Sequence, residues 1–251
     1  MTVTAAIIAL WLLLTPIAAF AVDIPLLLVP GPTVGGTLTF SASLSGLGLS
    51  EVGSITVTDD GTPVGGASGI FSGFDLDALF LDVDGDILTA GDRFFGTSFA
   101  FSAGSTRPTG NPDLLPTVAH PGPTFGSLNA NTVDVATATL DLLDGVNVAD
   151  VDAAGGELTL GDGGVLTANF VPGIPVGATL FLALGEVGGQ PGEGLSAIVT
   201  VSDVPRVPVP EPSTLVLLAS GLAGVAALQQ RRRSREMRRR DARSSRERSR
   251  R

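Results

Sequence analysis

Four aspartates that a turn could gather around one hard cation stand in Leu81-Asp82-Val83-Asp84-Gly85-Asp86 and the following Gly91-Asp92. On a straight strand, carboxylates at i, i+2 and i+4 lie about 7 Å apart, too far to share an ion. A turn at Gly85 would curl them around a Ca²⁺, whose oxygen ligands sit at roughly 2.3–2.6 Å. The competing reading is a solvated Asp/Gly turn without an ion. Asp75 and Asp77 flank Leu76 just upstream and would either add ligands or face water. Asp150 and Asp152 form a weaker, solvent-facing pair, and Asp59-Asp60-Gly61 reads as a turn.

The array starts like an EF-hand loop and then departs from it. Ile87 stands where the sharp-turn glycine belongs and Arg93 where the bidentate glutamate should be. Flanking helices are also missing, so Asp82, Asp84, Asp86 and Asp92 are expected to bind calcium, if at all, from a β-loop. Other chemistry is sparse. His120 is the only histidine and lies between Ala119 and Pro121, where a triad would have to bring a nucleophile and an acid to a proline-rich loop. Counting aspartates leaves a glycosidase-like carboxylate pair open. However, Trp11 is the only tryptophan and there is no tyrosine, so the body offers no indole or phenol to stack on a sugar. With no cysteine, there is neither thiol chemistry nor a disulfide framework. The expectation is a protein with no catalytic residues.

The elements that must carry the aspartates have a period of two. Over 37–44, Thr37, Thr39, Ser41 and Ser43 alternate with Leu38, Phe40, Ala42 and Leu44, which predicts one face in a core and one in water. Further strands are expected at 54–58, 70–74, 76–81, 94–101, 133–143, 157–160, 165–170, 179–187 and 195–201. Gly/Asp/Pro turns separate many of them. Apolar residues on both faces mark 80–81 and 139–143 as central strands. Nine to eleven strands with no helix between them predict an all-β, antiparallel β-sandwich. Residues 103–127, with five prolines, form one long loop, a functional surface or a hinge.

The two ends speak of destination. An apolar run at 5–18 followed by Ala19-Phe20-Ala21 fits a secretory signal peptide cleaved after Ala21, although residues 1–6 hold no Lys or Arg. An uncleaved N-terminal anchor is the alternative. Near the other end, an uncharged apolar run from Ser213 to Leu228 precedes a tail with 12 arginines between Arg231 and Arg251. As a helix, 213–230 would rise about 27 Å, slightly under a hydrocarbon core of roughly 30 Å. Arginine stems can reach back to the interface and compensate. Positive charge beside a span stays cytoplasmic, which places the body outside. An arginine run alone could bind nucleic acid, but the adjoining apolar run and an acidic body argue against it. Residues 22–212 hold 22 acidic groups against Arg93, Arg107 and Arg206, a net charge of −19, while the tail carries +9. Freed of its tail, the body would be a soluble polyanion.

Signal peptide, Pro210-Glu211-Pro212, a short span and an arginine-rich end with Arg231, Arg232 and Arg233, in that order, resemble the PEP-CTERM exported proteins. The prolines at 205, 208, 210 and 212 hold the chain open ahead of the span. The resemblance covers only the two ends. It implies recognition and cleavage by an exosortase after passage through the secretory translocon. It also implies an inner-membrane-anchored precursor in a Gram-negative bacterium and a mature protein at the cell surface or in an extracellular matrix with exopolysaccharide. The expected domains are a signal peptide (1–21), a β-sandwich (22–202), a proline-rich linker (203–212), a transmembrane helix (213–230) and a cytoplasmic tail (231–251). A calcium-dependent carbohydrate-binding or adhesion module is the rival reading for the body, and a secreted hydrolase a third.

Overall fold

A computed structural model describes residues 28–61, 67–89, 91–146, 151–188 and 197–206. The chain divides into compact units at 1–206 and 207–251, and every described residue lies in the first. The expected signal peptide with Ala19 and Ala21, the Pro-Glu-Pro box, the span and the arginine tail lie outside the described residues. Among the described residues, no helix is long and apolar enough to cross a membrane.

Twelve strands are found among them: β1 (Val29–Val34), β2 (Thr37–Ser43), β3 (Glu51–Asp59), β4 (Asp75–Asp82), β5 (Arg93–Phe95), β6 (Ser98–Ser102), β7 (Ser127–Asn129), β8 (Thr132–Val133), β9 (Leu158–Thr159), β10 (Val165–Pro175), β11 (Phe181–Val187) and β12 (Ala197–Ser202). One sheet runs β1-β2-β11-β4-β5, with β9 also paired to β4. A second runs β12-β3-β10-β6, and β7-β8 form a small ribbon. Every pairing is antiparallel, as the alternating patterns predict. One apolar cluster draws on both larger sheets: Phe40, Leu79, Leu81, Leu182 and Leu184 from the first, and Ile55, Val57, Leu166, Ala168, Phe170 and Val201 from the second. Burying side chains of this size stabilises by roughly 1.5–3 kcal/mol each, so this layer is the main support of a fold without disulfides.

The first sheet is covered on its other face as well. Ala78, Phe80, Ile87 and Ala183 form a separate cluster there, with Leu143 packed against it. For this reason the clean alternation of β2 misleads at one end. Thr37 and Thr39, expected in water, are buried. Thr37 donates from Oγ1 to Asp77 Oδ2 (2.5 Å), and Thr39 from Oγ1 to the Pro32 carbonyl (2.6 Å).

Three other expectations change. Residues 70–74 contain a 3-10 turn at Gly69–Phe71 in place of a strand, because Gly69 and Gly73 both take positive φ (74° and 83°) and reverse the backbone on either side. The 94–101 segment is two strands in different sheets, β5 and β6, changing layers at Gly96-Thr97. The expected central strand at 133–143 is a strand only at Thr132–Val133. Beyond it, Asp134 accepts from the Ala136 and Thr137 side of its own turn, and Asp144 accepts from Thr139 Oγ1. Such local bonds compete with a ladder. Its apolar residues are nonetheless absorbed, with Ala138 and Leu140 in the main cluster and Leu143 in the outer one. β1, unforeseen because of its Val-Pro-Gly-Pro sequence, is an edge strand with an irregular register between Pro30 and Thr33, a position where proline is tolerated.

Candidate functional site

The aspartate array occupies the connection between β4 and β5. Asp82 closes β4 and pairs in register with Arg93, the first residue of β5. Between them the chain turns by overlapping side-chain caps. Asp82 Oδ1 accepts from the backbone N–H groups of Asp84 (3.2 Å) and Gly85 (2.5 Å), and Asp84 Oδ1 accepts from Asp86 N (2.9 Å). Gly85 has φ of 81°, so the turn expected there forms at the one residue that adopts it without strain. Ile87, out of place in an EF-hand, is the buried plug that pins the loop to the outer cluster.

The curl brings carboxylate oxygens of Asp82, Asp84 and Asp92 within 4.8 Å of one another. Asp86 is left out: it accepts from Thr89 Oγ1 (2.7 Å) and Leu88 N (3.3 Å) and holds the far side of the loop. Burial is graded across the three. Asp82 is fully buried, Asp92 half-buried and Asp84 exposed. Burial pushes the Asp82 carboxyl upward, and the neighbouring Asp92 and Asp84 charges push it further against its backbone donors. Arg93, across the ladder from Asp82, does not neutralise them. Its Nη2 donates to the Ile87 carbonyl (2.5 Å), and its guanidinium lies 4.5 Å from the centre of the Phe80 ring.

A second group of carboxylates, around the start of β4, is more deeply placed than its sequence suggests. Ladder pairing of β11 with β4 skips Asp77, between Gly185–Ala78 and Glu186–Leu76. This bulge turns Asp77 inward, where it accepts from Thr37 Oγ1 and from Gly145 N (2.7 Å). Its pKa rises to about 6, chiefly through burial. Asp75 Oδ1 accepts from Thr159 Oγ1 (2.5 Å). Glu157, just before β9, is buried with Oε2 lacking a hydrogen-bond partner. Burial first, then the charges of Asp75 and Asp77, raise its pKa to about 8. In the sequence Glu157 reads only as the start of the strand at 157–160. A lone acid between Gly155-Gly156 and the apolar Leu158-Thr159-Leu160 was the available signal. Neither Glu157 nor Asp77 is open to a substrate, so both act on the fold.

The remaining singled-out residues separate clearly. Asp59 is more than a local turn residue: buried, it accepts from Gly61 N (2.8 Å) and Gly163 N (2.7 Å) and joins two turns distant in sequence. Asp60 and Asp152 are exposed, and Asp150 lies outside the described residues. His120 lies against Phe125, ring centres 4.5 Å apart, and Phe125 in turn stacks on Phe71. The long 103–127 loop is thus anchored through a small cluster of Ile70, Phe71, Phe125 and Val151. A cleft of about 170 Å³ opens among Leu79, Phe95, Phe99, Val135, Leu140 and Asp141, and its lining includes none of Asp82, Asp84, Asp92, Asp77 or Glu157.

Residues 208–233 match the PEP-CTERM protein-sorting motif. The matched segment contains Pro210, Glu211 and Pro212 at its start and Arg231, Arg232 and Arg233 at its end. The chain therefore carries the sorting signal of an exported, surface-directed exosortase substrate. Neither a curated protein nor a solved structure matches the chain.

Proposed function

We propose that this chain is a non-enzymatic exported protein whose acidic β body is delivered through the secretory translocon and released by exosortase cleavage at the Pro-Glu-Pro signal. The precursor is held in the inner membrane of a Gram-negative bacterium by 213–230. The mature form becomes part of the cell surface or of an extracellular matrix containing exopolysaccharide. The observation that carries this reading is the sorting motif at 208–233. It begins six residues after β12 ends at Ser202. Charge supports it: acids dominate before the motif and arginines after it, the asymmetry that fixes topology at a membrane.

Mass spectrometry of the exported protein tests the proposal. The mature form is expected to begin at Val22 and to lack every residue from Arg231 onward. Recovery of the exported pool with both ends intact would overturn processing. Turnover of a polysaccharide or peptide substrate by the purified protein would move the reading to a secreted hydrolase.

A second reading, a calcium-dependent carbohydrate-binding or adhesion module, is favoured by one observation, the convergence of Asp82, Asp84 and Asp92 at the β4–β5 turn. A cation held there can take further oxygens from an acidic glycan, bridging two polyanions.

A further inference from the structure

We infer that the β4–β5 hairpin binds one calcium ion through the carboxylates of Asp82, Asp84 and Asp92. The inference is independent of sorting, and its failure leaves the export proposal untouched. Two oxygens that each lie about 2.4 Å from one calcium are separated by no more than about 4.8 Å. The three carboxylates meet that limit pairwise.

Convergence of acids alone would not require an ion. The further observation is a pair of orphaned oxygens. Asp82 is fully buried, and its Oδ2, out of contact with solvent, has no hydrogen-bond donor, while Oδ1 is satisfied by the turn. Asp92 Oδ1 is likewise shielded and without a donor. A buried carboxylate oxygen with no partner is costly to leave unsatisfied, and here two such oxygens belong to carboxylates that also repel each other. A divalent cation satisfies both at once and reverses the repulsion. The arginine placed opposite Asp82 is directed to Phe80 and the Ile87 carbonyl instead, and among the described residues no ion pair to Asp82, Asp84 or Asp92 is found.

The gradation from buried Asp82 to exposed Asp84 describes a site seated on the sheet and open on one side. Calcium takes six to eight oxygens, so water or an external ligand completes the shell. Few protein ligands and an open side place the affinity in the range of extracellular modules, roughly 10⁻⁴–10⁻³ M.

The test is thermal unfolding of the full-length chain in non-ionic detergent, with 10 mM CaCl₂ or 10 mM MgCl₂ at matched ionic strength. Calcium is expected to raise the melting temperature by roughly 3–10 °C, and magnesium, which dehydrates reluctantly, by much less. Asp92→Asn should raise the melting temperature of the calcium-free protein, because it removes one repelling charge, and should abolish the calcium shift. Asp84→Asn, at an exposed position, provides a second loss-of-shift variant that leaves the buried turn intact, whereas Asp86→Asn should keep the shift. Equal shifts in calcium and magnesium, or a full calcium shift in Asp92→Asn, would overturn the site and leave only screening of a polyanion.

Discussion

The two large sheets treat their outward faces differently. On the outward face of the second sheet, neutral polar groups answer one another: Thr56 and Thr167 share a hydrogen bond across β3 and β10 (2.9 Å), and Ser54 Oγ donates to the Val204 carbonyl (2.8 Å); the buried carboxylate of this sheet, Asp59, stands at the end of β3 and holds two turns through Oδ1. On and around the first sheet, loops cover an apolar patch, and the polar groups caught beneath them include carboxylates as well as Thr37 and Thr39. Several retain an oxygen without a donor, including Asp82 Oδ2 and Glu157 Oε2. Neutral hydroxyls can be buried in pairs at little net cost, whereas buried carboxylates leave a residue of unsatisfied charge. Protons and cations should therefore act chiefly on the first sheet and leave the threonine and serine pairs of the second unmoved.

The largest test of this contrast is Phe80→Ala. Phe80 is fully buried in the outer cluster, edge-on to Phe95 (6.1 Å) and beneath the Arg93 guanidinium. Its truncation should cost about 3–5 kcal/mol in denaturant unfolding, and a loss below about 1 kcal/mol would mean that the covering loops contribute little. Next comes pH. Glu157 has a pKa raised from 4.5 to about 8 and Asp77 one raised from 3.8 to about 6. The native state thus holds these protons more tightly than the unfolded chain. Their contribution is complete below about pH 4, falls as pH rises through each folded pKa, and is flat above about pH 8. Glu157→Gln should leave the melting temperature nearly unchanged at pH 4.5 and raise it at pH 8.5, by the equivalent of a few kcal/mol. Parallel curves for the two proteins would show that Glu157 is not held protonated. The smallest effect belongs to the second sheet. Thr56→Val alone should cost about 1 kcal/mol by stranding the Thr167 hydroxyl, and the Thr56→Val, Thr167→Val pair should recover most of it, with no dependence on pH.

How much of this was legible varied with the range of the interaction. The alternation at 37–44 and the apolar run at 76–81 located β2 and β4 within a residue or so, because side-chain period is a local property. The aspartate turn was legible for the same reason: its caps span two or three residues, and Gly85 marks the bend. What failed depended on partners far along the chain. Nothing near Thr37 announces Asp77 and Gly145 as its neighbours, so a solvent face was expected where a second layer lies. The 133–143 stretch shows that a period of two can serve packing without pairing, since its aspartates and threonines close turns while Ala138, Leu140 and Leu143 still reach apolar clusters. Asp86 fell out of the candidate site for a local reason, its bonds to Leu88 N and Thr89 Oγ1, while Arg93 was taken up by the Ile87 carbonyl and the Phe80 ring.

β12 is an edge strand, and the chain leaving it stays fastened: Ser54 holds the Val204 carbonyl, and Arg206 N donates to Asn169 Oδ1 (2.8 Å). The last described residues are thus tied back to β3 and β10 and do not fray as a free terminus would.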